Sequence, residues 1–199
     1  MYPPPYHQDF NKQKMISVIQ HFPFGMLVSA HDGTPFVTHI PIIYDEPSGR
    51  LVAHIDKQNP QVATLREGAS VMAIFKGPDA YISPSVYLTD QLPTWNYIIV
   101  HLTGTVRVIE ESNRIKETLV NMTRFLEGPE QKFQLKKDHP MLEHLLPHIQ
   151  VFEIEITHWE GKFKLSQDKN LVDFECAKAE LIKNSKTDLK SFIEKIYKT

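Results

Sequence analysis

Residues 25–55 read GMLVSAHDGTPFVTHIPIIYDEPSGRLVAHI, and this stretch decides the predicted fold. Short apolar runs rich in β-branched residues begin here and continue beyond it, at 26–29, 36–43, 51–55 and 71–75. Asp32-Gly33 and Pro47-Ser48-Gly49 interrupt the first three runs, and both have the composition of tight turns. The pattern predicts a meander of antiparallel strands.

Further strands follow in the second half of the chain. Residues 95–109 predict one long strand or a hairpin around Gly104. Residues 77–85 predict a turn at Gly77-Pro78 and then a brief strand. Apolar and polar side chains alternate from Phe152 to Thr157, which is the period of a strand with one buried face.

Helices are predicted around these strands. Amphipathic spacing at steps of three and four residues predicts them at 15–19, 115–126 and 177–197, the last with a new cap near Thr187. Another begins at the N-cap Asn59, has Pro60 in its first turn and ends at Gly68. We expect a mainly β fold, an antiparallel barrel with peripheral helices. It forms one domain over residues 1–199, with 170–199 as a helical C-terminal extension.

Composition narrows the function classes. Hydrophobic residues make up 41% of the 199 residues and charged residues 23%, as in soluble globular proteins. With a formal net charge of −2, the chain lacks the positive electrostatic field that attracts nucleic acids, so direct DNA contact is weakly supported. Cys176 is the single cysteine, which excludes an intramolecular disulfide. No apolar run approaches the roughly 18 residues of a membrane span, and we expect a cytoplasmic protein.

Polar side chains share a face in several predicted strands. The pairs are Tyr81 with Ser83, Thr94 with Asn96, and Lys162 with Lys164. Lys57 and the helix start at Asn59 add a cation and free N–H groups. A flat ligand that carries a phosphate needs these group types. They also occur at most strand ends, so spacing alone does not identify the ligand.

A set of motifs extends this pattern along the chain. They are Met1-Tyr-Pro, Pro23-Phe24, His39-Ile-Pro, His54 with Asn59-Pro60, Gly77-Pro-Asp-Ala-Tyr-Ile-Ser-Pro-Ser, Pro93-Thr-Trp-Asn-Tyr and Gly161-Lys-Phe-Lys-Leu-Ser-Gln. In this order, to about residue 180, the chain resembles the PaiB-like family, FMN-binding proteins regarded as negative transcriptional regulators. The resemblance implies an FMN-binding split barrel related to pyridoxamine-phosphate oxidases and flavin reductases. It also implies a homodimer with flavin at the subunit interface.

The resemblance also implies site residues. Lys57 and the Asn59 turn lie near the phosphate, and Tyr81 and Ser83 line the site. Further contacts, some from the second subunit, are implied for Lys162, Lys164 and Gln167. Two departures weaken this transfer. Lys57 stands where the family often has Arg, and residues 88–92 are shorter than the usual linker and lack its Gly-Lys.

Several histidines of the sequence could contact a cofactor or a metal ion. His39, His54 and His101 lie in predicted strands, where a hydrogen-bonded structural histidine is the commoner outcome; His54, next to Asn59, is the strongest candidate for a cofactor contact. Glu143, His144 and His148 imitate a metal-binding helix, but Pro147 breaks the helical turn between the histidines. We expect no metal site.

Three functions of different classes remain open. The first is a flavin-binding regulator, and the second is an FMN-dependent oxidoreductase that acts on a small molecule. The third is a dimeric barrel without a cofactor. The basic tail at 178–198 offers the first of these a DNA-binding surface, although such lysines are also typical of a solvated helix face.

Overall fold

Strands dominate the part of the chain that the computed structural model describes, residues 4–185 and 190–197. They are β1 (Gln8–Asp9), β2 (Phe24–His31), β3 (Thr34–Asp45), β4 (Arg50–Asp56), β5 (Ser70–Ile82), β6 (Thr94–Ile109) and β7 (Ile149–Lys164). The α-helices are α1 (Lys12–His21), α2 (Ser112–Glu127), α3 (Pro140–Leu145), α4 (Leu171–Asn184) and α5 (Lys190–Tyr197). The predicted cap near Thr187 lies outside the described residues.

The strands form one seven-stranded sheet in the order β1-β7-β4-β3-β2-β5-β6. β7 also pairs with β6, so the order closes on itself as in a barrel. The pairings of β1 with β7, β2 with β3 and β5, and β4 with β3 and β7 are antiparallel. The predicted mainly β, antiparallel barrel is confirmed.

The meander is confirmed for β2, β3 and β4 but not for β5. Asp32 and Gly33 both have positive φ and join β2 to β3 as a two-residue hairpin, with His31 opposite Thr34. β5 then pairs with β2 instead of β4, with Ile74 opposite Met26. The chain crosses the sheet between β4 and β5, and local sequence carries no information about that crossing.

Two predicted interruptions are absent. β5 continues through Gly77-Pro78, so the predicted turn there is wrong. A Cβ at Gly77 would lie 3.1 Å from Cβ of Ile98, so this glycine serves close strand packing. β6 likewise runs straight through Gly104, which favours the long strand over the hairpin.

The helix predicted from Asn59 to Gly68 is a single 3-10 turn, Pro60–Thr64. Asn59 is the N-cap as predicted, and its Oδ1 accepts from the Gln61 N–H at 2.9 Å. The turn ends at Thr64, whose hydroxyl donates to the Gln61 carbonyl at 2.7 Å, and Leu65 after it leaves the helical conformation with φ of −96° and ψ of 58°. The Gln61 side chain meanwhile binds β2 and β3.

The remaining helices follow their predicted patterns. Ile115, Leu119 and Met122 are the buried side of α2, and Gly128, with φ of 64°, follows its last residue. Leu126 is half exposed. The predicted tail helix consists of α4 and α5, and α4 begins earlier, after the N-cap Asn170.

Two compact units divide the described residues. The first lies within 1–22, 75–101 and 159–199, and the second within 23–74 and 102–158. In the first unit, Phe192 of α5 packs on His21 of α1, with ring centroids 4.3 Å apart. In the second, Ile115 and Leu119 of α2 join Ile109, Leu142, Ile149 and Val151 in a buried cluster. The single domain with a helical extension stays a prediction.

Candidate functional site

The predicted site residues divide between the two units. The first unit contains Tyr81, Ser83, Thr94, Asn96, Lys162, Lys164 and Gln167. The second contains His54, Lys57 and Asn59.

Thr94 and Lys164 meet at a cavity of about 270 Å³, called the Lys164 cavity below. Thr94 begins β6 and Lys164 ends β7, and the ammonium group donates to the Thr94 hydroxyl at 2.6 Å. Asn96 and Lys169 also line this cavity. Asp168 lines it too and pairs with Lys169 at 3.0 Å, so the Lys164 ammonium, the Thr94 hydroxyl and the Asn96 amide are the groups suited to an anionic ligand.

Asn96 is the most constrained residue of the Lys164 cavity. Its side chain is fully buried, and its Oδ1 accepts from the Ser166 hydroxyl at 3.1 Å. Its Nδ2 has no hydrogen-bond partner among the described residues. An unpaired buried donor costs about 1–3 kcal/mol, so this amide is suited to receive a ligand oxygen. Ser166 has φ of 62°, a strained conformation often found at functional sites.

A loop leading to Thr94 is anchored by Asp173. This buried carboxylate in the first turn of α4 accepts from the Thr89 hydroxyl and from the Leu88 N–H, the latter at 2.7 Å. The Thr89 hydrogen bond is the main reason that the pKa of Asp173 is lowered. The anchor therefore holds the segment whose next residues, 91–93, line the Lys164 cavity.

His7 was not predicted, but it lines the Lys164 cavity. Its side chain is buried, and burial lowers its pKa; the positive charges of Lys164 and Lys162 lower it further, against an opposing effect of Asp168. Its imidazole is therefore neutral at pH 7. A single histidine in a polar N-terminal segment gives no periodic signal, so sequence analysis had no basis for selecting it.

Two further predicted residues belong to the same part of the chain, Lys162 on β7 and Gln167 just after it. Lys162 is buried on β7 opposite Gln8 of β1. Gln167 donates to the Tyr6 carbonyl at 2.9 Å and to the Phe163 carbonyl, so its amide fastens the N-terminal segment to the end of β7.

Tyr81 and Ser83 do not line the Lys164 cavity. Tyr81 is half exposed and lies 6.3 Å from the ring of Trp95, whose Nε1 donates to Asp79 at 3.0 Å. The Ser83 hydroxyl lies 2.8 Å from that of Ser85. Trp95 is also half exposed, so its ring does not fill the barrel core.

In the second unit, the Asn59 amide is already occupied. Its Oδ1 caps the short turn and its Nδ2 donates to the Thr38 hydroxyl at 3.0 Å. One 3-10 turn also has far less dipole to offer a phosphate than the predicted helix. Lys57 is exposed. The contribution of these residues to a phosphate site stays a prediction.

The predicted histidines differ in environment. Burial lowers the pKa of His54, and its Nδ1 has no hydrogen-bond partner among the described residues. Burial also lowers the pKa of His101, with Glu160 opposing the effect. His39 is exposed beside Phe24, at a centroid distance of 6.2 Å.

In the part of the chain that the structure describes, no group of three or more His, Cys, Asp or Glu side chains is placed to hold a metal ion. α3 ends at Leu145, and a 3-10 turn containing Pro147 follows it. Within 4–185 and 190–197, no helix has both the length and the apolar character to cross a membrane.

The closed antiparallel sheet is that of a split barrel. The chain belongs to the family described as "Putative FMN-binding domain", whose model matches residues 1–158. It is 30% identical over 177 residues to "Protease synthase and sporulation protein PAI 2" of Bacillus subtilis (strain 168), covering 87% of this chain and 86% of that protein. The PaiB-like resemblance is confirmed.

Solved structures share the fold. The FAD and heme binding protein from Mycobacterium smegmatis has a TM-score of 0.65 and 18% identity, covering 86% of this chain and 80% of that one. The flavocytochrome Anf3 from Azotobacter vinelandii has a TM-score of 0.62 and 18% identity, covering 81% and 72%. At these identities the likeness establishes the fold alone.

Proposed function

We propose that this chain binds FMN, with the phosphate in the Lys164 cavity. The observation that carries the proposal is that the Lys164 ammonium and the Thr94 hydroxyl meet at a cavity that Asn96, with its unpaired Nδ2, also lines. These donors match a dianionic phosphate, and the residues present therefore fit the group. Membership of the family described as "Putative FMN-binding domain" supports the same cofactor.

The proposal gives this chain's residues definite tasks. Lys164 and Thr94 bind the phosphate, and the Asn96 amide fixes its orientation. Asp173, through the Leu88 N–H and the Thr89 hydroxyl, positions the loop that leads to the cavity. When bound, FMN supplies one- and two-electron redox chemistry that side chains lack.

Replacing Lys164 with methionine tests the phosphate assignment. Wild-type protein should show visible flavin absorption after FMN is added, and K164M should bind FMN about 10- to 100-fold more weakly, because a hydrogen bond to a charged group contributes about 1.5–3 kcal/mol. Quenching of flavin fluorescence gives both dissociation constants. Lys132→Met is the control, since that side chain is 80% exposed in a surface pair with Glu130. Equal affinity of K164M and wild type would refute the assignment, and absence of flavin binding by wild type would favour a cofactor-free barrel.

We also propose a homodimer, because the Lys164 cavity is small. At about 270 Å³ it lies below the roughly 300–1,000 Å³ of sites that enclose a drug-sized ligand. One chain therefore holds the phosphate end, and a second copy completes the surface for the ring. The prediction that His54, Lys57, Tyr81 and Ser83 contact the cofactor stays a prediction.

An uncovered apolar face of the second unit supports the dimer. Its side chains project from neighbouring strands and are half-buried or exposed: Phe24, Met26 and Val28 of β2, Val37 and His39 of β3, and Met72 and Ile74 of β5. Phe24 is 66% exposed and Val37 53%. Apolar surface of this kind marks interaction sites. None of these seven side chains carries a carboxylate or an ammonium group, and the exposed Lys76 continues their side of β5 beyond Ile74. An identical apolar face is therefore a suitable partner.

The Val37→Lys variant tests this face. Wild-type protein should sediment as a dimer, and V37K should shift to the monomer because each interface would bury two ammonium groups. Val172→Lys is the matched control, since Val172 on α4 is 52% exposed outside this face. Analytical ultracentrifugation at several concentrations gives the masses. A monomeric wild type, or a V37K dimer as strong as the wild-type dimer, contradicts the proposal.

We also propose a role in negative transcriptional regulation, which rests on the resemblance to the PaiB-like family. The net charge of −2 gives direct DNA contact little electrostatic support. Gel-shift titrations over a range of salt concentrations decide whether the chain contacts DNA itself.

One observation favours the alternative function, an FMN-dependent oxidoreductase. A second cavity of the first unit shares Tyr6 and His7 with the Lys164 cavity, and a small-molecule substrate could occupy it.

A further inference from the structure

The end of β7 and the residues after it separate two cavities of the first unit. Lys164, Ser166 and Asp168 line the Lys164 cavity. Phe163, Leu165 and Gln167 line a second one of about 230 Å³, called the Phe163 cavity below. Phe163 and Lys164 lie on opposite faces of β7 because side chains alternate along a strand, whereas the residues after Lys164 form bends and a turn, with Ser166 at φ of 62°. Tyr6 and His7 line both cavities and form their common wall.

The Phe163 cavity has an apolar side and a polar side. On the apolar side, Phe163 of β7, Leu165 just after it and Ile196 of α5 are almost fully buried. Phe174 of α4 and Tyr197 of α5 add aromatic rings, with centroids 5.0 Å apart. An aromatic ligand with a polar substituent matches such a mixed surface.

The polar groups of the Phe163 cavity carry no net charge. Asp9 and Lys14 line it and neutralise each other as an ion pair at 3.1 Å. The Gln167 amide is committed to the Tyr6 and Phe163 carbonyls. His7 lies on the wall as a neutral imidazole, able to donate or accept one hydrogen bond. An ionic ligand would find no unbalanced countercharge here.

The volume of the Phe163 cavity sets the size of the part of a ligand that it can enclose. An apolar cavity of about 150 Å³ holds benzene, and drug-sized ligands occupy at least roughly 300 Å³. At about 230 Å³ the Phe163 cavity falls between the two. One aromatic ring with one or two small substituents fits this space.

We propose that the Phe163 cavity binds an uncharged monocyclic aromatic compound with a hydrogen-bonding substituent directed at His7. The shared wall places this ligand beside the Lys164 cavity, so it is suited to be a reaction partner or an effector of the flavin. Only that last role rests on the proposed function, since the binding itself needs no flavin.

Binding of p-cresol to the wild-type protein, without added flavin, tests the proposal. We expect saturable binding in the range of about 1 mM or tighter, near −4 kcal/mol for so small a ligand. Methyl NMR signals of Leu165 and Ile196 should shift, while those of Leu171, which is 75% exposed on α4, should stay in place. The anionic analogue p-toluate should not bind. Failure of p-cresol to bind, shifts confined to other methyl groups, or equal binding of p-toluate would overturn the proposal.

A variant provides an independent check. Ile196→Trp fills the Phe163 cavity and should abolish p-cresol binding, whereas Val172→Trp on the exposed side of α4 should leave it unchanged. Unchanged binding in I196W contradicts the proposal, and if I196W does not fold, the wild-type NMR shifts decide. FMN is titrated separately into wild type. If wild type binds p-cresol but not FMN, only the flavin proposal is refuted. If it binds FMN but not p-cresol, only the proposed ligand of the Phe163 cavity is refuted.

Discussion

Replacing Gly104 with alanine should lower the free energy of unfolding by about 3 kcal/mol or more, at the upper end of overpacking effects. A Cβ at this position would lie 2.4 Å from the Glu155 carbonyl oxygen and 2.6 Å from Cγ2 of Ile154. The first contact is with backbone of β7, which cannot move without disturbing its pairing with β4. Urea unfolding followed by circular dichroism measures the loss.

Gly77→Ala is the matched control for Gly104→Ala. Its Cβ would lie 3.1 Å from Cβ and 3.2 Å from Cγ2 of Ile98, which belong to a side chain and not to backbone. A shift of a few tenths of an ångström relieves these contacts, so we expect a loss of about 1 kcal/mol. Equal losses in G77A and G104A, or a G104A protein as stable as wild type, would show that the approach of β6 to β7 is not the cause.

Replacing Gln61 with leucine should destabilise the fold by about 2–3 kcal/mol. Gln61 is only 1% exposed, and its Nε2 shares its two hydrogens among the Leu27 carbonyl at 3.0 Å, the Ser29 hydroxyl at 2.9 Å and the Phe36 carbonyl at 3.3 Å. Leucine leaves buried acceptors unsatisfied. Loss of the Gln61 Oε1, itself unpaired among the described residues, offsets part of this cost. Thermal and urea unfolding measure the net change.

Gln58→Leu is the control for Gln61→Leu, because Gln58 is exposed in the preceding loop. We expect Q58L to remain within about 0.5 kcal/mol of wild type. If Q61L unfolds at the same urea concentration as Q58L, the Gln61 hydrogen bonds do not hold the turn at Pro60–Thr64 to β2 and β3.

Much of the site was predictable as residue types. The strand period placed Thr94 with Asn96 and Lys162 with Lys164, and the structure brings Thr94, Asn96 and Lys164 to one cavity. The strand period did not indicate that Lys164 contacts Thr94, because 70 residues separate the two in sequence. The resemblance to a known family supplied the cofactor, which the period of the strands alone left open.

The residues that sequence reasoning missed act through distant contacts. Asp173 anchors Leu88 and Thr89 across more than 80 residues, and its own neighbours read as an ordinary helix start. His7 gains its neutral state from burial and from Lys164 and Lys162. Gln61 follows a good helix start, and its buried hydrogen bonds reach β2 and β3. None of these has a local pattern.

The sequence by itself determined the strands, the turn at Asp32-Gly33, the helix stop at Gly128 and the family. Backbone preferences and the alternation of side chains act between near neighbours, so they are visible in a single chain. Tertiary structure alone decided that β5 pairs with β2, that Gly77-Pro78 stays extended and that Lys164 meets Thr94. These features depend on contacts between residues far apart in sequence, whose energies arise only when the strands are packed.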